Sequence, residues 1–255
     1  MGKVIVFSNQ KGGVGKTTTC VNMSYSLAMS GKKVLMIDMD PQGNATTGLG
    51  FNKGAMKNSV YNVLIDEMPI KKAVLPTEEK NLSILPSSID LAGAEVELVY
   101  VKNREKRLYE AIKTVKKNYD YITIDCPPSL GLLTINALTA ADNIIIPIQC
   151  EYFALEGLSQ LMNSIKLVKK HLNSSLEISG VCLTMYDGRA LVSRQIAEEI
   201  RNFFGDKVFK TVIPRNIRVS EAPSHGLPVY LHDSKCAGAK AYLNLTKEFL
   251  EKGEV

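Results

Sequence analysis

The chain has 255 residues, 45% of them apolar, a formal net charge of +5 and five cysteines. That length suits one α/β domain with an ample core, and no apolar run is long enough for a membrane-spanning helix. The cysteines lie far apart, without a Cys-x-x-Cys pair for zinc or an iron–sulfur cluster, and the mild positive charge is by itself weak support for a polyanionic partner.

A β-branched apolar run at 4–7 reads as a buried strand. It is followed by Lys11-Gly-Gly-Val-Gly-Lys-Thr-Thr18, and residues 16–30 carry apolar side chains at helical spacing. Strand, glycine-rich turn and helix form the setting in which such a string cradles phosphates, with backbone N–H groups and a helix N-terminus facing the anion. Lys11, Gly12, Gly13, Val14, Gly15, Lys16, Thr17 and Thr18 are therefore the predicted nucleotide-binding residues. Lys16 reaches the outer phosphates, and the Thr17 hydroxyl suits Mg2+. The string departs from the common phosphate loop: Gln10 stands where a glycine is usual, and Lys11 is an additional cation.

A second strand at 34–37 ends in Asp38-Met-Asp-Pro-Gln-Gly-Asn44, with Asp38 and Asp40 spaced to face one side. Residues 48–80 look irregular, with one short helix near 59–65. Further strands are expected at 82–85, 121–124, 143–148, 178–184 and 208–213, with helices near 104–118, 130–140, 155–171, 190–204 and 237–251. Several strands lack polar alternation, as parallel strands covered on both faces do. The fold class that follows is α/β: a doubly wound, mostly parallel sheet with helices on both faces, in a single domain over 1–255. Ligands of such sheets bind at the carboxyl ends of the strands. The glycine loop, Asp38, Asp40 and Asp125 all follow strand ends, so one pocket collects them. Asp125 would hold a metal there, directly or through water.

Five of the seven arginines, Arg189, Arg194, Arg201, Arg215 and Arg218, fall within thirty residues of one another. Residues 207–220 carry four positive side chains and no negative one. This clustering forms a basic patch suited to phosphate contacts, with Arg189 and Arg218 foremost and Lys207, Lys210 and Arg215 in support. In the last helix, apolar residues at 242, 245 and 249 form a core-facing stripe, and the mixed polar residues lack a lipid-binding face. Leu155, Leu158, Leu161 and Met162 read as a second core stripe.

The glycine loop, Asp38–Asn44, Asp125-Cys-Pro-Pro-Ser129 and Glu221-Ala-Pro-Ser-His-Gly226 together resemble the deviant Walker A ATPases, P-loop NTPases of the ParA/MinD family. The resemblance spans the whole chain and is greatest for the small chromosomal ParA branch. It implies ATP and Mg2+ as cofactors, and catalytic roles for Lys11, Lys16 and Asp40. Asp40 would position the attacking water. Lys11 would reach the nucleotide of a second protomer in a sandwich homodimer, with Gly12 where the partner's backbone passes closest. Residues 125–129 would sense the γ-phosphate, and Met185 with the loop from Pro214 would form the base pocket. The resemblance also implies non-specific binding of double-stranded DNA and release stimulated by a ParB-type partner. The tail, lacking a lipid-binding face, implies no membrane association, and the expected protein is cytoplasmic and joins the nucleoid when ATP-bound. A MinD-like membrane-associated positioning ATPase is the alternative.

Overall fold

Residues Lys3–Phe7 form β1 in the centre of a seven-stranded sheet. The structure is a computed structural model that describes residues 2–152 and 154–253, the side chains of 154–157 excepted. After β1 come α1 (Lys16–Met29), β2 (Val34–Asp38), α2 (Asn44–Gly48), α3 (Val60–Leu64), β3 (Leu75–Pro76) and β4 (Leu82–Leu85). The chain continues with α4 (Leu91–Glu97), α5 (Arg107–Lys113), β5 (Tyr121–Asp125), α6 (Leu132–Ala140), β6 (Asn143–Gln149) and α7 (Ala154–His171). It ends with β7 (Glu177–Thr184), α8 (Leu191–Phe204), α9 (Ile217–Glu221), α10 (Val229–His232) and α11 (Ala237–Gly253). The strand order is β3-β4-β2-β5-β1-β6-β7, and every pairing is parallel except β3 with β4.

Alternate residues of each strand serve opposite cores. Val4, Val6, Leu35 and Ile37 join the apolar cluster built with α3 to α8, whereas Ile5, Phe7, Val34 and Met36 join the one built with α1, α10 and α11. Both faces are apolar because both are covered, which is why the strands show no polar alternation. From β1 the chain builds β2 and β4 on one side, returns with β5 to fill the place between β1 and β2, and then lays β6 and β7 on the other side. The topological switch therefore falls beside β1, and the crevice above its carboxyl end is the place for a ligand.

The stretch expected as a strand at 208–213 is not one. It runs beside β7, touching it through isolated bridges at Val181–Val208 and Tyr186–Pro214. The Glu248 carboxylate of α11 accepts the N–H groups of Lys210 (2.7 Å) and Thr211 (2.9 Å), so a side chain takes donors that a ladder would use. The helix expected at 104–118 is confined to α5, with 3₁₀ turns on either side. The β-branched pair Thr114-Val115 breaks it, and the Thr114 hydroxyl bonds back to the Ala111 carbonyl (2.8 Å). Neither α4 nor β3 was expected; α4 is a two-turn helix with a glycine in it, too short for a clear period. The stripe of α11 behaves as read, with Tyr242, Leu245 and Phe249 buried against α1 and the sheet. Leu158 and Leu161 are likewise buried and Met162 packs against the same core, while the side chain of Leu155 lies outside the described residues.

Candidate active site

The loop between β1 and α1 is fixed from three sides. Gly13 (φ 75°) and Gly15 (φ 85°) adopt the left-handed conformation that a side chain resists. Asn9 accepts the Lys11 N–H (3.1 Å) and donates to the Pro147 carbonyl (2.7 Å), tying the loop to β6. Thr184, at the end of β7, donates its hydroxyl to the Val14 carbonyl (2.8 Å). No side chain caps α1, so its first-turn N–H groups and partial positive charge are left for an anion. Lys16 is buried, and its Nζ donates to the Lys11 carbonyl across the loop (2.8 Å). Burial pushes its ammonium below the usual value, opposed by the negative charge of Asp125. Lys11 itself forms an ion pair with Glu151, a contact the sequence gives no sign of.

Asp38 and Asp40 lie side by side at the end of β2 but are not equivalent. Asp38 is wholly buried and accepts the N–H and hydroxyl of Thr46, both at 2.7 Å. Burial pushes its carboxyl up to about 6, against the pull of the Thr46 bonds. Asp40 lines the phosphate cleft, with one carboxylate oxygen accepting the Gln42 N–H (2.9 Å). Asp38 is thus the support and Asp40 the group offered to a ligand.

Asp125 ends β5 beside Asp38 in the strand register. It is 0% exposed, and neither carboxylate oxygen has a hydrogen-bond partner. The Thr17 hydroxyl approaches and favours its charged form without the geometry of a hydrogen bond. Burial, with the charge of Asp38, pushes the carboxyl well above the ordinary range. An orphaned carboxylate beneath a threonine hydroxyl at a phosphate loop is a donor set that suits Mg2+, which takes one or two protein oxygens and completes its shell with phosphates and water. No group of three or more His, Cys, Asp or Glu side chains among the described residues forms a protein-only metal cage.

Two hollows meet at Gly15, Thr18 and Met185. One, of about 280 Å³, opens on Gly12, Lys16, Thr17, Asp40 and Pro128. The other, of about 420 Å³, is bounded by Thr184, Ile213, Pro214, Asn216 and Tyr242. Met185 lines both hollows and Pro214 only the second, next to the phosphate loop. Gln42 and Asn44 are cleft residues without a role assigned from sequence, and Pro128 of the segment expected to sense the γ-phosphate lines the same cleft.

The basic residues divide into two groups. Arg189 is 93% exposed and bonded to Asp187 through Nε and Nη2, both at 3.0 Å, which holds the Asp187 carboxyl down at about 2. Arg215 adds its charge to the same carboxylate. Arg218 pairs with Glu221 (2.9 Å) and lies 3.6 Å from Asp233. These three sit near the carboxyl edge of the sheet. Lys207 and Lys210 flank the level of Val181, about 10 Å below the carboxyl end of β7. Among the described residues Lys207, Lys210 and Arg215 form no ion pair.

Comparison with known proteins places this geometry. The family described as "AAA domain" matches residues 2–178. The sporulation initiation inhibitor protein Soj of Bacillus subtilis is 57% identical over 99% of this chain and all of its own. The chromosome partitioning protein ParA of Myxococcus xanthus is 51% identical over 99% of this chain and 89% of its own. Among solved structures, the cobyrinic acid a,c-diamide synthase of Mycobacterium smegmatis, with bound ATP analogue and magnesium, superposes with a TM-score of 0.88 at 35% identity, covering 100% of this chain and 96% of that one. A phosphate loop with two lysines, an orphaned aspartate beneath it and near-complete coverage of partitioning proteins agree, and the chain belongs to the ParA/MinD family of deviant Walker A ATPases.

Proposed function

We propose that this partitioning ATPase is an ATP-gated DNA switch. Mg-ATP closes two protomers face to face, the closed dimer binds duplex DNA without sequence preference, and hydrolysis stimulated by a ParB-type centromere-binding protein releases it. The protein then works in the cytoplasm, on the nucleoid while loaded. The observation that supports the reading is the unpartnered carboxylate of Asp125, close to the cleft residues Lys16, Thr17 and Asp40, in a chain 57% identical to Soj.

In this reading the first-turn amides of α1, Lys16 and the loop N–H groups hold the β- and γ-phosphates. Thr17 and Asp125, directly or through water, would hold Mg2+, which supplies neutralisation of phosphate charge when bound. Asp40 orients the attacking water. Lys11 leaves Glu151 and adds its charge at the neighbouring protomer's nucleotide, as an arginine finger does. Residues 125–129 follow the γ-phosphate, and Met185 and Pro214 flank the base. Arg189, Arg215 and Arg218, helped by Lys207 and Lys210, meet DNA phosphates. Arg189 and Arg218 must exchange Asp187 and Glu221 for those phosphates, so their contribution per residue falls below that of an unpaired cation.

The test is binding of the Asp40→Ala protein to an arbitrary duplex with ATP, with ADP and without nucleotide, across a salt series. Binding with ATP alone is expected, with log K falling against log salt by about 0.9 per phosphate neutralised. Arg189→Ala and Arg218→Ala should each lower that slope by up to about one. Absence of binding in every nucleotide state would remove the DNA half of the reading and leave the ATPase.

A further inference from the structure

We propose that Ser87, just past the end of β4, is a positioning residue for ATP hydrolysis. It rests on the reading of Asp40 as the residue that orients water. Ser87 is 0% exposed and belongs to none of the nucleotide motifs. Its hydroxyl donates to the Asp40 carbonyl at 2.7 Å, and its N–H donates to the Thr46 hydroxyl oxygen at 2.9 Å. That hydroxyl donates in turn to Asp38 Oδ2 (2.7 Å), and Asp38 Oδ1 accepts the Asp40 N–H (3.2 Å). Ser87, Asp40, Asp38 and Thr46 thus close a ring of four hydrogen bonds beneath the cleft.

The ring has a physical reason. The ladder between β2 and β4 stops at Ile37–Leu85, and the next residue, Pro86, has no N–H with which to continue it. The Asp40 loop leaves the sheet at this point. The Ser87 side chain supplies the bond to β2's extension that the backbone can no longer make. The Asp40 carbonyl also accepts the Gly43 N–H (2.9 Å), which closes the turn on itself. Removing the Ser87 hydroxyl therefore leaves the turn formed but loosens it from the sheet. A water-orienting carboxylate displaced by about 1 Å loses on the order of a hundredfold in rate, and nothing in the ring touches the phosphate-binding amides.

Single-turnover hydrolysis of Mg-ATP, with ATP affinity measured by a fluorescent analogue, tests this in Ser87→Ala, Ser87→Cys, Asp40→Ala and the Ser87→Ala/Asp40→Ala double variant. Ser87→Ala is expected to lower kcat at least tenfold with KM and ATP affinity within about threefold. Ser87→Cys, which keeps the volume and weakens the donor, should fall between and serves alone if the alanine variant does not fold. In the Asp40→Ala background the Ser87 change should cost nothing further. Unchanged kcat in Ser87→Ala, or equal losses in rate and affinity, overturns the proposal. So does an equal loss with and without Asp40. Wild-type hydrolysis by Asp40→Ala would instead overturn the reading of Asp40 itself, and with it the reason for the ring.

Discussion

Single residues at this site carry burdens that the free protein does not need. Asp125 is a buried carboxylate with no partner. Although Lys16 favours its charge, the net shift is upward, so the surroundings disfavour the ionised form. Asp125→Asn should therefore relieve the cost of the buried charge in the nucleotide-free protein, seen as a higher urea midpoint, and abolish the added stability that Mg-ATP confers. Gly12 gives a cleaner separation of roles. A Cβ built there meets nothing within 4 Å, so Gly12→Val should keep the melting temperature and ATP affinity of the single chain. Loss of the ATP-dependent dimer in size-exclusion chromatography is the expected effect, and a dimer of normal yield would remove Gly12 from the interface. The glycine loop and the three aspartates were legible because each lies in a contiguous string at a strand end. Glu151, which pairs with Lys11 from 140 residues away, and Thr184, which braces Val14 from 170 residues away, were not. Such partners are chosen by the sheet order, and no local spacing encodes them.

Elements are joined at this site by close approaches that small residues permit. Gly226 (φ 66°) follows Glu221-Ala-Pro-Ser-His, and a Cβ on it would lie 2.8 Å from the Gly50 Cα. Gly50 closes the segment that begins at Asp40, and Pro223 of the other segment walls the hollow of about 420 Å³ beside the phosphate loop. Gly226→Ala should thus destabilise the fold by about 1–3 kcal/mol, from left-handed strain and backbone overlap together, read from urea denaturation. A second join runs through α4, whose Glu95 accepts the N–H groups of Leu132 (3.0 Å) and Leu133 (3.3 Å) at the start of α6, just past the Pro127-Pro128 loop. The strands from β1 to β7 were legible to within a residue or two, apart from the two-residue β3, because uninterrupted Val and Ile runs leave little choice. The stretch at 208–213 has the same composition and fails as a strand, since Glu248 from a distant helix competes for its donors. Apolar content identified a covered segment there but not its hydrogen-bond partners.

For the whole molecule, ligand binding and chemical access give two readouts. A ligand at a hundred times its Kd adds about 2.7 kcal/mol. For a chain of this size that is a rise of roughly 5–11 °C in melting temperature, expected with Mg-ATP and reduced by EDTA. Four of the five cysteines are buried and only Cys236 is partly exposed. Burial also pushes the thiols of Cys20, Cys126, Cys150 and Cys182 upward. Ellman's reagent should accordingly find at most one fast thiol in the folded protein and five after denaturation. The two margins of the sheet bear on how copies of the chain can meet. One margin is β3, two residues long and ending in Pro76. Beyond the other lies 208–213, where Val208, Phe209, Lys210, Thr211 and Ile213 have already given their N–H groups to Gly205, Val181, Glu248 and Leu183. Neither margin offers the row of vacant donors and acceptors on which strands add edge to edge. Copies of this molecule are therefore steered away from continuous cross-molecular sheets, and contacts between copies are left to side-chain surfaces.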